Sequence, residues 1–418
     1  MKNSNKMELE QHNPHWKEGF LYPFDKQRVL FPRLEKNLTN RQIIALYGLR
    51  RTGKTVLMKQ LINLLIAKGI ARTEILFFSF DEEQPKIKSL ISAFEKSGQK
   101  PRYIFFDEIQ KLENWQNQLK FYYDTTDIKF FVSGSSSLFI RKKVRESLAG
   151  RIFDYYLPPL DFKEYLLFRK KEELLSKPKL FPEEVKAEFE LYLKRQFIET
   201  IGQDEEFIFD YVKSILEQVI YIDIPQVFPI ANEGLLLKIL KIIASNPGLI
   251  IEYESLGKEV GIDRNTLSNY LFYLEEAFLI KKVYHFSRNR LTSEKKLKRF
   301  YLNSTSFFSY LSSGTEESKI VENILAIETG AKFFWRTHSK DEVDFILEEE
   351  KNIIPLEVKY KESPRERELK PLAKFCREYG VKKGFMITKG AEEIIKVSWG
   401  GWEAKIELIP VWKYLIKE

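Results

Sequence analysis

Eight consecutive residues carry the pattern G-x-x-x-x-G-K-[ST], which is typical of loops that hold the phosphates of a nucleotide. They are Gly48, Leu49, Arg50, Arg51, Thr52, Gly53, Lys54 and Thr55. Glycines let backbone N–H groups curl around phosphates, and the N-terminus of a following helix adds partial positive charge. In this pattern the lysine contacts the β- and γ-phosphates and the final hydroxyl ligates Mg²⁺. We therefore expect all eight residues to bind ATP, with Thr55 also a ligand of Mg²⁺.

Two neighbouring acids end an apolar run that begins at Tyr103. Asp107, at the end of a strand, can hold Mg²⁺ through water and is the second predicted metal ligand of this site. Glu108 is the natural general base for the water that attacks the γ-phosphate. A further strand ends near Ser133, whose hydroxyl is predicted to hold the γ-phosphate or the water. Arg151 follows a basic run and is a candidate arginine finger, with a plain surface arginine as the alternative.

Three acids and a lysine near the C-terminus form a second candidate site. Two predicted strands carry Asp344 on the first, and Glu357 with Lys359 on one face of the second. A predicted helix over 318–329 brings Glu322 to the same place. Carboxylates beside a lysine suit a Mg²⁺ site, so Asp344 and Glu357 are predicted metal ligands and all four are candidate catalytic residues. A retained fold used for binding or assembly is the alternative.

The elements that must position the first site alternate between strand and helix. Short apolar runs at 43–47, 75–80, 103–106 and 129–133 are separated by helical patterns. Near-continuous apolar strands alternating with helices predict an α/β fold with a parallel sheet covered on both faces. A charged, helical stretch follows, and strand patterns return beyond Leu302.

The middle of the chain predicts a winged helix-turn-helix. An amphipathic helix at 235–244 is followed by a helix, a tight turn at Gly261, a second helix capped by Asp263, and a strand-like run. If this module contacts DNA, eight residues on the second helix and the wing are predicted to do so. They are Arg264, Asn265, Ser268, Asn269, Lys281, Lys282, Arg288 and Arg290. A protein-binding module or an ATPase lid is the alternative.

Composition limits the class of protein. A chain of 418 residues exceeds what one core usually serves, and we predict 1–165, 166–232, 233–300 and 301–418 as separate parts. The net charge is +8, and residues 281–300 alone hold eight Lys or Arg against one acid, which indicates a polyanion partner or a solvated loop. A single cysteine, Cys376, and the lack of a signal peptide or an apolar span predict a cytoplasmic protein without a membrane partner.

Several of these segments together resemble the AAA+-type ATPases that are widespread in archaea and bacteria. The resemblance rests on Gly48–Thr55, the run from Phe105 to Lys111, Val132-Ser-Gly-Ser-Ser-Ser, Leu148-Ala-Gly-Arg-Ile and Leu157–Tyr165. In that family a winged helix and a nuclease-like domain follow the ATPase. The C-terminal acids and lysine resemble the PD-(D/E)xK nuclease core, and Glu322-Asn323 resembles its helical Glu-Asn pair. The segment 201–207 departs from the family, which often shows a Gly-Gly-x-Pro-Glu turn there.

Two functions are compatible with these patterns. The first is an ATP-driven switch that acts on DNA, with a core that hydrolyses Mg-ATP and a nuclease module that cleaves DNA with the help of a metal. The second is an ATP-gated scaffold for protein partners, with an inactive nuclease-like domain. An arginine finger supplied in trans would require a homo-oligomer.

Overall fold

The computed structural model describes residues 9–96, 98–135, 147–288, 297–312, 314–349, 352–399 and 402–417. The chain forms two compact units, which we call the first unit (Met1–Pro159 with Glu276–Phe278) and the second unit (Leu160–Glu275 with Leu279–Glu418). The sequence predicted four parts, and all three predicted boundaries fall inside the second unit. None of the helices in the described ranges is long and apolar enough to cross a membrane.

The first unit is built on a parallel sheet. Its strands are β1 (Ile43–Tyr47), β2 (Ile75–Ser79), β3 (Tyr103–Asp107), β4 (Lys129–Gly134) and β5 (Ile152–Tyr156). They lie in the order β2-β3-β4-β1-β5, and every neighbouring pair is parallel. The described residues of this unit also form the helices α1 (Phe31–Glu35), α2 (Lys54–Ala67), α3 (Ile87–Glu95) and α4 (Trp115–Thr125). The predicted parallel α/β sheet is confirmed.

The burial of each strand explains which strands can be recognised in the sequence. Every residue of β1, β3 and β4 is buried, so these strands appear as uninterrupted apolar runs. Phe105 and Phe131, on adjacent strands, stack with ring centroids 4.4 Å apart. The strand β5 lies at the sheet edge and exposes Phe153 and Asp154, so it shows no such apolar run.

The described part of the second unit contains one mixed sheet. Its strands are β6 (Leu249–Ile250), β7 (Ile280–His285), β8 (Lys298–Leu302), β9 (Phe333–Arg336), β10 (Glu342–Glu349), β11 (Asn352–Val358), β12 (Lys383–Thr388), β13 (Glu393–Trp399) and β14 (Trp402–Pro410). They lie in the order β13-β14-β12-β11-β10-β9-β7-β8-β6. The strand β7 pairs in parallel with β9, with Tyr284 opposite Phe333. The strands of the predicted wing therefore belong to the same sheet as those of the predicted nuclease core.

The described residues of the second unit also form helices. They are α5 (Phe162–Phe168), α6 (Glu172–Ser176), α7 (Pro182–Tyr192), α8 (Glu205–Gln218), α9 (Glu233–Ser245), α10 (Tyr253–Val260), α11 (Arg264–Glu276), α12 (Phe308–Leu311), α13 (Glu317–Glu328), α14 (Lys370–Tyr379) and α15 (Val411–Ile416). Phe162, Tyr165 and Tyr192 share one buried core with Ile324 and Leu356. The charged helical stretch after Leu160 therefore packs on the C-terminal part of the chain.

The helix-turn-helix pattern has the predicted local chemistry. The helix α10 ends at Gly261, which has φ +88°. The Asp263 carboxylate accepts hydrogen bonds from the backbone N–H groups of Asn265 and Thr266 at 2.8 and 3.1 Å, as an N-cap does. The predicted apolar stripe of α11 is buried, and its members are Leu267, Tyr270, Leu271 and Leu274. The order of helix, turn, helix and strand is confirmed, while the assignment as a winged helix stays a prediction.

Candidate functional site

The phosphate-loop motif lies where the strand order of the first sheet reverses. It joins the end of β1 to the start of α2, and β4 and β5 lie on either side of β1. A crevice at the carboxyl ends of the strands is the usual ligand site at such a reversal. Gly48, Arg51 and Gly53 have φ values of +148°, +65° and +93°, so the loop turns tightly before the helix begins at Lys54.

Gly48 lies against the backbone that follows β5. A Cβ atom added to Gly48 would lie 2.3 Å from the carbonyl oxygen of Leu157. Leu157 is itself fixed, because its N–H donates to the Tyr47 carbonyl at 2.8 Å. The first glycine of the motif is therefore required by close backbone contact as well as by its φ angle.

The lysine of the motif points into its own loop. Lys54 is only 5% exposed, and its Nζ donates to the carbonyl oxygens of Gly48 at 3.0 Å and Leu49 at 2.9 Å. The Thr52 hydroxyl donates to the same Leu49 oxygen at 2.9 Å. A buried ammonium directed at acceptors inside a loop of this shape fits a bound triphosphate, whose oxygens are stronger acceptors.

A buried arginine supports the loop from behind, and sequence reasoning missed it. Arg28 is 4% exposed; its Nη1 donates to the Thr52 carbonyl at 2.6 Å. Its Nη2 donates to the carbonyls of Pro158 at 2.9 Å and Pro159 at 3.3 Å. Arg28 thus joins the phosphate loop to the segment after β5. It lies twenty residues upstream of the motif and belongs to no pattern, so no sequence signal marked it.

Three predicted residues meet at the ends of α2, β3 and β4. The Thr55 hydroxyl donates to Asp107 Oδ2 at 2.6 Å, and the Ser133 hydroxyl donates to the other oxygen of the same carboxylate. Burial raises the pKa of Asp107, and the neighbouring Glu108 raises it further. A hydroxyl and a carboxylate converging beside a phosphate loop form a donor set that fits Mg²⁺. The structure therefore brings Thr55, Asp107 and Ser133 together as predicted.

The predicted general base is held in an unusual conformation. Glu108 has φ +49°, and its N–H donates to the Ser133 hydroxyl at 3.3 Å. The Gln110 amide donates to the Glu108 carboxylate and also to the Ser135 hydroxyl at 3.1 Å. Gln110 therefore orients the carboxylate, a role that sequence reasoning missed although Gln110 lies only two residues after Glu108. A left-handed non-glycine residue is often found at functional sites.

Arg151 is not brought to the nucleotide site of its own chain. It precedes β5, which runs beside β1 with Ile43 opposite Ile152, and it pairs with Asp124 at 2.8 Å. The phosphate loop follows the other end of β1, about 16 Å away at roughly 3.3 Å per residue. As an arginine finger, Arg151 could act only on the nucleotide of a second copy, and that role stays a prediction.

The C-terminal acids and lysine do come together. The Asp344 N–H donates to Glu357 Oε2 at 3.2 Å, and Lys359 Nζ donates to Glu357 Oε1 at 2.5 Å. Glu322, on α13, lines the same cavity of about 570 Å³. Burial raises the pKa of Glu357 to about 8, and Asp344 adds to the rise while Lys359 opposes it. The predicted hairpin of β10 and β11 and the predicted helix are both confirmed.

A further cation, Arg299 on β8, lies within this cluster. Its Nη1 is 3.2 Å from Asp344 Oδ1 and 3.7 Å from Glu322 Oε1, and its other terminal nitrogen pairs with Glu342. Sequence reasoning counted Arg299 only as part of the basic stretch. Among the residues that the structure describes, no group of three or more His, Cys, Asp or Glu side chains could hold a metal ion. The assignment of Asp344 and Glu357 as metal ligands stays a prediction.

The residues predicted to contact DNA fall into two groups. Four are exposed on α11, namely Arg264, Asn265, Ser268 and Asn269. Lys281 and Lys282 instead face partners of their own chain. Lys281 Nζ donates to the Ala326 carbonyl at 2.6 Å, burial lowers its pKa to about 8, and Lys282 pairs with Glu275 at 2.5 Å. Arg288 is exposed, and Arg290 lies outside the described residues. The basic stretch therefore offers less free charge than its sequence indicated.

Comparison with known proteins shows that one part of the chain matches a described type of domain. Residues 40–166 match the family model described as an AAA domain. Residues 201–318 and 316–414 match two families that are described as domains of unknown function. Residues 40–166, which carry the phosphate loop and the parallel sheet, are thus similar to AAA domains.

Relatives of similar length are found in an archaeon and a bacterium. An uncharacterized protein of Methanocaldococcus jannaschii is 28% identical, over 93% of this chain and 91% of its own. An uncharacterized protein of Haemophilus influenzae is 26% identical, over 75% of this chain and 81% of its own. Among solved structures, the Orc1 protein of Aeropyrum pernix in complex with DNA aligns with 73% of this chain and 97% of its own, at 15% identity and a TM-score of 0.31.

Proposed function

We propose that this protein hydrolyses Mg-ATP in its first unit and uses the nucleotide state to control DNA binding by its second unit. One observation carries the ATPase half of the proposal. The hydroxyls of Thr55 and Ser133 both donate to the Asp107 carboxylate, with the Glu108 carboxylate beside them at the mouth of the phosphate loop. This arrangement supports a site for phosphoryl transfer to water, which needs a phosphate loop, ligands for Mg²⁺ and a base for the water.

Each residue has a distinct task in this reaction. Lys54 and the loop N–H groups bind the β- and γ-phosphates, and Thr55 and Asp107 would hold Mg²⁺. The ion, when bound, supplies positive charge that offsets the charge of the phosphates. Glu108 accepts a proton from the water whose oxygen bonds to the γ-phosphorus, while the bond from that phosphorus to the β,γ-bridging oxygen breaks and ADP leaves. The Glu108 N–H donates to the Ser133 hydroxyl and the Gln110 amide donates to the Glu108 carboxylate, and both contacts keep Glu108 in place.

Two variants separate binding from turnover. Lys54→Ala removes the buried ammonium and is expected to abolish binding of a fluorescent ATP analogue. Glu108→Gln keeps the shape of the site but removes the base, so it is expected to bind the analogue normally and to lose phosphate release. Glu113→Gln makes the same chemical change at an exposed position of the same segment and serves as the control. Normal hydrolysis by Glu108→Gln would refute the assignment of the base.

The DNA half of the proposal rests on the exposed face of α11. Arg264, Asn265, Ser268 and Asn269 lie on its N-terminal half and are all open to solvent. A short helix following a capped turn is the arrangement with which helix-turn-helix proteins enter the major groove. The eight basic residues at 281–300 add positive charge nearby in the sequence, although Lys281 and Lys282 are engaged internally.

Fluorescence anisotropy of a labelled duplex tests this half directly. We expect the affinity for DNA to fall steeply as the salt concentration rises, because each contact of a cationic side chain with a phosphate releases counterions from the DNA. The double variant Arg264→Ala/Asn265→Ala is expected to bind more weakly, while Lys405→Ala, an exposed lysine on β14, is expected to bind as the unaltered protein does. The same samples are assayed for ATP hydrolysis, which DNA should stimulate. Absence of both DNA binding and stimulation would favour the scaffold function instead.

A specific observation favours the scaffold alternative for the C-terminal part. Metal-dependent cleavage by Asp344, Glu357 and Lys359, with Glu322 on the helix, was the sequence-based prediction. Arg299, however, contacts Asp344 and Glu322, which are two of the predicted acidic residues. We therefore leave cleavage out of the proposed function and treat it as the alternative to be tested. Incubation of labelled DNA with Mg²⁺ or Mn²⁺, with and without ATP and with Lys359→Ala in parallel, tests it.

A further inference from the structure

The acidic cluster of the second unit is closed by donors from its own chain. Asp344 Oδ2 accepts the Val358 N–H at 2.9 Å, and Asp344 Oδ1 faces Arg299 Nη1 at 3.2 Å. Glu357 accepts the Asp344 N–H with one oxygen and Lys359 Nζ with the other. All four carboxylate oxygens on β10 and β11 that were predicted to serve a metal already have a partner.

The helical acid of the cluster is equally engaged. Glu322 Oε1 accepts the Tyr301 hydroxyl at 2.8 Å and lies 3.7 Å from Arg299 Nη1. Glu322 Oε2 pairs with Lys319 Nζ at 2.7 Å. The same guanidinium nitrogen thus lies between the carboxylates of α13 and β10, where an ion shared by them would have to lie.

The guanidinium of Arg299 is firmly placed. Arg299 is 4% exposed, and its guanidinium carbon lies 4.7 Å from the ring centroid of Phe334 on β9, a strand of the same sheet. The planar group is therefore packed on one side by an aromatic ring and contacts acids at its edge, a geometry that suits arginine better than lysine. Moving it out would leave the buried carboxylates of Glu322 and Asp344 without their shared cation, which is strongly unfavourable in a buried site.

The acids and the cations that pair within the cluster are equal in number. Its acids are Glu322, Glu342, Asp344 and Glu357, and the cations that pair with them are Arg299, Lys319, Arg336 and Lys359. An added divalent ion would leave a surplus of positive charge in a largely buried site. Mg²⁺ also needs near-octahedral oxygens at about 2.0–2.1 Å, and these oxygens are turned to their donors instead.

We propose that Arg299 is the built-in cation of this cluster and takes the place that a divalent metal would occupy. In this arrangement Glu322, Glu342 and Asp344, the acids that Arg299 contacts, fasten β8 to α13 and to the hairpin of β10 and β11, and the cluster does not cleave phosphodiesters. The inference depends only on the second unit and does not rest on the proposed ATPase or on DNA binding.

Titration with Mn²⁺ in the absence of nucleotide tests the inference. Bound Mn²⁺ is measured by the loss of the free-ion EPR signal for the full chain and for Asp344→Asn, Arg299→Gln and Arg299→Gln/Asp344→Asn. We expect Asp344→Asn to bind as much Mn²⁺ as the unaltered protein, because the cluster holds none. We expect Arg299→Gln to gain one ion per chain, and the double variant to lose that ion again. Arg169→Gln, which breaks the Arg169–Glu188 pair elsewhere in the second unit, controls for loss of an ion pair.

The outcomes decide the inference in either direction. It is overturned if the unaltered protein binds Mn²⁺ that Asp344→Asn removes, or cleaves DNA in a reaction that needs Mg²⁺ and Lys359. It is also overturned if Arg299→Gln gains no ion although thermal unfolding and circular dichroism show that this variant is folded. If Arg299→Gln does not fold, the comparison of the unaltered protein with Asp344→Asn decides alone. ATP hydrolysis, assayed in the same samples, reports separately on the first unit.

Discussion

Replacing Gly48 by alanine should be among the most damaging single changes in the first unit. The new Cβ would lie 2.3 Å from the Leu157 carbonyl oxygen, whereas side chains in proteins keep carbon and oxygen atoms about 3 Å or more apart. The residue would also keep φ +148°, a region that L-amino acids rarely adopt. The steric clash and the unfavourable φ angle therefore both destabilise the Gly48→Ala variant.

The size of the effect follows from how firmly the neighbours are held. The Leu157 N–H donates to Tyr47, and Arg28 holds the carbonyls of Pro158 and Pro159, so the clashing carbonyl has little room to retreat. Backbone strain alone costs about 1–3 kcal/mol, and steric overpacking of a fixed site adds about 1–3 kcal/mol. The sum, about 4 kcal/mol, corresponds to a fall of roughly 10 °C in the melting temperature of a unit of this size.

Gly69→Ala is the matched control. Gly69 follows α2 with φ +87°, and a Cβ there would meet no atom within 4 Å, so this variant carries the φ cost without the clash. The assay is thermal unfolding of both variants, together with titration of a fluorescent ATP analogue. We expect Gly48→Ala to melt at a lower temperature than Gly69→Ala and to bind the analogue weakly. Equal melting temperatures and normal binding would refute the close contact between the phosphate loop and the segment after β5.

Three other changes test the same unit. Gln110→Leu should lower kcat for ATP hydrolysis about 10- to 100-fold with little change in ATP affinity. The reason is that Glu108 loses a charge-assisted hydrogen bond of about 1.5–3 kcal/mol. A changed ATP affinity with normal kcat would contradict this role of Gln110. Arg28→Met should weaken ATP binding at least about 10-fold and lower the melting temperature, because three backbone carbonyls lose their hydrogen-bond donor. An unchanged ATP affinity and melting temperature would contradict the role of Arg28 in holding the phosphate loop. Burial lowers the pKa of His15 to about 4, so its NMR resonance should titrate near pH 4. Since the unfolded pKa is about 6.5, the neutral His15 contributes about 3 kcal/mol above that pH, and this stability should be lost as pH falls from 6.5 towards 4; a resonance titrating at the ordinary pH would refute it.

The residues of the proposed nucleotide site could be identified from the sequence because their signals are local. A phosphate loop must be a continuous stretch between a strand and a helix, so Gly48–Thr55 can be recognised without knowing the fold. Asp107 and Glu108 end a buried strand, and burial on both faces makes that strand an uninterrupted apolar run. The capped turn at Asp263 was visible for the same reason, since a cap and its helix are neighbours in sequence.

The boundaries of the units were not predictable in this way. The segment after Leu160 shows only helical, charged patterns, and nothing in them says which partner buries its apolar face. In the structure Phe162 and Tyr192 pack with Ile324, more than one hundred residues later. Likewise, β7 has the pattern of a wing strand, and only its pairing with β9 shows that it belongs to the C-terminal sheet.

By itself, the sequence determined that this chain has a phosphate loop with its acids and a C-terminal set of Glu322, Asp344, Glu357 and Lys359. Only the tertiary structure decided what surrounds them. Arg28 reaches carbonyls 130 and 131 residues away, and Arg299 enters a cluster formed by residues 23 to 58 positions later. The physical reason is that a long side chain takes its role from whichever charges and carbonyls the fold brings within a few ångströms, and residue type and spacing do not carry that information.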